Sequence, residues 1–266
     1  MHGRWRVERA AGSRSADPWE VDAYRRERSA HFVIWTPAGV PAPVDALEAG
    51  YARLRAVLDR GRLRRRYLVV VARDPERGRR LTRHIRGLDT LTTLTDTQVR
   101  FQGPAARVTA IDSQRVVVIA SRFAAAGPTV QQTAVTHELT HAALAPATSG
   151  RVPGWLIEGI ALYTSQDDRR AEAAADTKLG TAPTLRELSA PDAVGRLEGD
   201  AQSAAYAVSS AAAYAIAERH GRAGLLALLE AYSSPRLPGR AGDPRLTDRA
   251  LRRVLGTRLD DLQASL

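Results

Sequence analysis

A chain of 266 residues with 44% hydrophobic side chains has enough apolar material for one large globular domain or two small ones. It contains no cysteine, which excludes disulfides and cysteine-ligated zinc or iron–sulfur centres, so any transition-metal site must draw on His, Asp and Glu. The net charge of +10 is almost entirely arginine, Lys178 being the single lysine, and a bias this lopsided reads as coding composition rather than as adaptation to a polyanion.

The first residues, "MHGRWRVERAAGSRSADPWE", carry positive charge but no apolar stretch of signal-peptide length, and nowhere is there a run of about 18 apolar residues. Residues 1–29 therefore read as a tail or linker, with "GRWRV" resembling the closing strand of a preceding domain, and 30–266 as the main domain. If the chain is a module of a longer protein, an extracytoplasmic or envelope-associated setting is expected, otherwise a cytoplasmic one.

In chain order, "HFVIW" (31–35) predicts a strand and 43–59 an amphipathic helix, with Val44, Leu47, Tyr51, Leu54 and Leu58 at three- and four-residue steps. "YLVVVA" (67–72) is apolar throughout and predicts a central strand. The polar stretch 73–98 gives no clear element. "ARVTAI" (106–111) and "RVVVIA" (115–120) predict a hairpin turning at "DSQ". After Pro128 the pattern becomes helical, with Thr129 as candidate N-cap, Gln132 at capping-box distance, and Pro146 ending the run. A second apolar helix (153–165) follows a short loop. Residues 166–200 read as loops with one short helix, and helices are expected at 201–219, 222–233 and 247–264. Strands with one helix come first and helices alone follow, which predicts an α+β fold whose N-terminal mixed sheet packs on a mainly helical C-terminal half.

The chemistry concentrates between residues 137 and 158. Residues four apart share one helix face, so His137 and His141 of "HELTH" can present ring nitrogens to one metal ion. Glu138 is offset by about 100° and can face a water beside that ion without being a ligand. The competing reading is two histidines satisfied inside a core. A catalytic zinc needs a third protein ligand, and Glu158, the sole charge in "WLIEGIALY", is the natural candidate. Otherwise it must reach the surface or meet an arginine, because burying it unpaired is costly. Gly159 beside it fits a close approach of this helix to the preceding one.

"HELTHAAL" followed by "PGWLIEGIALY" resembles the gluzincin metallopeptidases, in particular the peptidase-MA-like group with H-E-x-x-H, a short loop and W-x-x-E-G. The resemblance continues in 205–232 and 251–262 and covers 30–266, strongly at 130–165 and weakly before 100. It implies a thermolysin-like active-site helix, one zinc ion on His137, His141 and Glu158, and Glu138 as general base and later acid. It further implies a sheet edge that pairs with an extended peptide substrate, for which "RVVVIA" is the candidate, and a Tyr or His that stabilises the oxyanion. Tyr206 is the first choice for that donor and His220 the second. Trp155 and Tyr163 read as packing residues, and His31 and His84 as structural or surface histidines.

The resemblance thus predicts a zinc-dependent peptidase acting on peptide or protein substrates. One competitor is a zinc-binding but inactive recognition module; the other is a basic nucleic-acid- or envelope-binding protein in which 137–158 is only core. The arginine clusters at 62–67 and 77–86 match no DNA-reading motif, so no nucleic-acid partner is expected, although they could touch an anionic envelope surface. Oligomeric state is not encoded in any feature of the sequence.

Overall fold

The computed structural model describes residues 16–82 and 91–266. Its sheet has five strands in the order β1-β2-β3-β5-β4: β1 (Tyr24–Arg28), β2 (Phe32–Pro37), β3 (Tyr67–Ala72), β5 (Arg107–Ile119) and β4 (Thr93–Gln102). The β2/β3 and β3/β5 pairs are parallel while β1/β2 and β4/β5 are antiparallel, so the sheet is mixed. Helix α1 (Pro18–Val21) precedes the sheet, and α2 (Val44–Val57) and α3 (Pro75–Leu81) lie among the strands. After β5 the described chain is helical: α4 (Ala120–Ala125), α5 (Pro128–Leu144), α6 (Gly154–Ser165), α7 (Arg170–Leu179), α8 (Gly199–Ala231), α9 (Pro244–Leu255) and α10 (Leu259–Gln263). The α+β class with segregated halves is as expected.

The main core forms where the inward sheet residues Phe32, Ile34, Val69 and Val71 meet α2, α5, α6 and α8. Helix α6 lies at its centre, with Trp155, Leu156, Ile160, Ala161 and Leu162 all buried. Close packing there requires glycine at two places. A Cβ on Gly159 would stand 2.5 Å from the Ser209 carbonyl oxygen, so the helix approached is α8, not α5 as the sequence implied. A Cβ on Gly50 would stand 2.5 Å from Val135, so α2 lies equally close on α5.

Several local expectations are overturned. "DSQ" (112–114) is not a turn: β5 runs straight through it, and the hairpin partner is β4, in the stretch that gave no sequence signal. "RVVVIA" is therefore interior, flanked by β3 and β4, and cannot be the substrate-pairing edge. Helix α5 is capped at Gly127 with Pro128 in its first turn, while Gln132 accepts from Arg53 at 3.0 Å instead of closing a box with Thr129. The stretch read as tail supplies α1 and β1, the latter an edge strand paired along β2. The last expected helix is two, divided at Gly256, whereas α8 changes direction at Gly221 as foreseen.

The α5–α6 connection is held by Arg151, which is 5% exposed and meets no carboxylate among the described residues. Its guanidinium donates instead to the carbonyls of Tyr232 (3.1 Å), Ser234 (2.9 Å), Leu237 (2.8 Å) and Gly239 (3.2 Å). Burial lowers its pKa, yet the carbonyl cage keeps it a donor. Arg151→Met leaves four carbonyls without that donor, and urea denaturation should show a loss of about 3 kcal/mol or more.

Candidate metal centre

Helix α5 presents His137 and His141 one turn apart, and α6 brings Glu158 against them. The two Nε2 atoms are 3.0 Å apart, and Glu158 Oε2 lies 3.2 Å from that of His137 and 3.4 Å from that of His141. Tetrahedral ligands with bonds of about 2.0–2.1 Å stand about 3.3–3.4 Å from one another, so this triangle has the dimensions of three ligands on one ion. Glu158 Oε2 is buried and receives no hydrogen bond of good geometry, although both nitrogens are near it. Three potential ligand atoms converge on one point, and the group is one that could hold a metal ion. The alternatives open for Glu158 do not hold: its side chain is only 20% exposed, and its ion-pair neighbours are histidines, not arginines.

Electrostatics bind the three together. Burial by itself would raise the Glu158 carboxyl, but His141 and His137 more than offset it and hold the group well below the usual carboxylate range. Burial likewise opposes charge on His141, yet Glu158, with a contribution from Glu138, lifts the imidazole to about 9.

Glu138 is half-buried, and its carboxylate makes no hydrogen bond or ion pair among the described residues. Its charge influences both His141 and Tyr206, so it stands beside the cluster without joining it. Its backbone carbonyl accepts from Thr95 Oγ1 at 2.8 Å, which ties α5 to β4. Sequence reasoning missed Thr95, and with it the edge strand beside the cluster, because the strand's own sequence carries no apolar alternation.

Tyr206 on α8 faces His137, with ring centroids 6.2 Å apart. The negative charge of Glu158, then burial, then Glu138 push its hydroxyl well above the ordinary tyrosine range, so it stays a hydrogen-bond donor at any working pH. The Arg169 guanidinium stands over the Tyr206 ring, 5.9 Å from its centroid, and is held by Asp167 at 2.9 Å, a contact no sequence signal foretold. His220 is exposed and lies about 21 Å further along the helix axis than Tyr206. It is not part of the cluster.

Trp155 is fully buried and Tyr163 packs edge-on against Tyr214 at 5.2 Å, both packing roles as expected. His31 pairs with Glu48 at 2.6 Å and stacks on Tyr51, also structural, while His84 lies outside the described residues. No helix among the described residues is long and apolar enough to cross a membrane. Comparison with protein-family models, curated proteins and solved structures gives no match.

Adding Zn²⁺, Co²⁺ or Ni²⁺ to metal-free protein at about a thousandfold over Kd should stabilise it by about 4 kcal/mol, a melting-temperature rise of about 10 °C. Chelation should reverse the rise and Glu158→Ala should abolish it; full metal stoichiometry in Glu158→Ala would remove Glu158 from the ligand set.

Proposed function

We propose that this chain is a zinc peptidase of the gluzincin type, similar to the peptidase-MA-like group and carrying a thermolysin-like active-site helix in α5. The observation that carries the reading is the meeting of a three-atom ligand triangle with a carboxylate, Glu138, that has no other partner among the described residues. A structural metal site has no need of such a free base, and a histidine core has no need of Glu158.

A zinc ion held by His137, His141 and Glu158 would supply Lewis acidity to polarise a carbonyl and acidify water. Glu138 takes a proton from the attacking water as its oxygen bonds to the scissile carbonyl carbon, and delivers that proton to the departing amine nitrogen as the C–N bond breaks. Tyr206, kept protonated by the surrounding carboxylates, donates a hydrogen bond to the carbonyl oxygen as negative charge develops there. The extended substrate lies along β4, the sheet's last strand, whose Thr95 touches the residue that acts as base.

Glu138→Gln should retain stoichiometric zinc and lose hydrolysis of a quenched peptide library by a factor of about 10²–10⁴. Zinc binding with no turnover of any library member by the wild type would instead favour an inactive recognition module. In Tyr206→Phe, kcat should fall about 10²–10³-fold with zinc content unchanged, and a wild-type kcat would remove Tyr206 from the mechanism.

A further inference from the structure

We propose that the outer face of the sheet, at its β1–β3 end, docks on the surface of an anionic phospholipid bilayer. The register sets Arg28, Val33 and Leu68 in one row across β1, β2 and β3, and Arg26, Trp35 and Val70 in a second row on the same face. Further along the sheet this face is covered, where Ala72, Leu81 and Val117 form a second apolar cluster and α3 packs on β3 and β5. Beyond that cover Leu68 is 37% exposed, and Trp19 is 51% exposed although it leans on Trp35 at 5.8 Å.

Around these apolar side chains Arg62 pairs with Glu230 and Arg25 with Glu27, but other arginines have no partner among the described residues. Arg26, Arg28, Arg65 and Arg66 are exposed, and neither they nor the guanidinium of Arg64 makes an ion pair or hydrogen bond among the described residues. In the second basic cluster, by comparison, Arg77 pairs with Asp74 at 2.7 Å and Arg80 donates to the Glu20 carbonyl. What marks the face is thus the location of unpaired charge, not the arginine content of the chain.

The mixture selects the partner. Duplex nucleic acid would reward the arginines but offer Leu68 and Trp19 no apolar phase, and a neutral bilayer would leave the charges unanswered. An anionic bilayer takes both, with phosphates on the guanidinium groups and the Trp and Leu side chains at headgroup depth. The metal cluster lies on α5 and α6, which pack on the opposite face of the sheet, so a docked molecule keeps it turned towards solvent.

The test is sedimentation of the full chain with phosphatidylcholine vesicles, with and without phosphatidylglycerol, at physiological salt. Binding should require phosphatidylglycerol. Each arginine near such a surface contributes about fivefold, so Arg28→Ser/Arg66→Ser should weaken binding about 25-fold. Arg236→Ser/Arg240→Ser, which removes the same charge elsewhere on the surface, should change it by less than about twofold, and Leu68→Ser should weaken it several-fold. Binding independent of phosphatidylglycerol, equal losses in the two double variants, undiminished binding by Leu68→Ser, or tighter capture by duplex DNA than by the vesicles would each overturn the proposal.

Discussion

A carboxylate among apolar side chains must be met by a cation or by donors, because the cost of leaving it alone exceeds what one packing contact returns. Glu158 imposes this constraint on the whole C-terminal half. Its helix is the most buried among the described residues, and close packing at Gly159 brings it tightly against α8, which restricts how far α6 can turn Glu158 towards solvent. The position is then acceptable only if α5 offers both histidines at the same depth. Helix α5 is in turn pressed on α2 at Gly50 and fastened by Arg53, which donates to Gln132 at 3.0 Å and to the Ser165 carbonyl at 2.8 Å. One guanidinium thus joins the three helices α2, α5 and α6 that determine where Glu158 meets the histidines.

The meeting of His137, His141 and Glu158 was legible because it depends on short-range rules. Two histidines four apart on a helix share a face whatever the remaining fold, and a lone acid in an apolar helix needs a partner wherever that helix goes. Strand β4 was not legible for the opposite reason. "TLTDTQVRFQ" has little apolar alternation, since Thr95 serves α5 and Asp96 serves Arg115 on the other face, so its pattern answers to neighbours absent from the local sequence. The same long-range partners convert "DSQ" from an apparent turn into mid-strand. Asp112 pairs with Arg100 at 3.0 Å, Gln114 donates to Thr97 and to the Ala142 carbonyl, and shifts in register near Gln98 and Arg100 absorb the mismatch.

Capping followed the same division. Thr129 and Gln132 have the spacing of a box, but tertiary demand takes Gln132 for Arg53 and the Ala49 carbonyl, and Gln131 instead satisfies the carbonyls of Phe123 and Ala126 that end α4. A side chain three residues from a cap is free to close a box only where nothing better is within reach.

Helix α8 does more than cover the core. Tyr206 and Ser210 are one turn apart on the same face, and both look towards the cluster side of the fold. Ser210 donates to the Asp167 carbonyl at 3.0 Å and accepts from the Arg169 amide at 3.1 Å, which fixes the loop after α6 to α8. The Arg169 side chain then reaches back to the ring of Tyr206, and that ring stands against His137. Because the same α8 also receives Gly159, any shift of α8 along α6 would move Tyr206 and Glu158 relative to each other. The tight glycine contact therefore fixes how Glu158 and Tyr206 stand relative to each other, and that contact lies in packing, not in either residue.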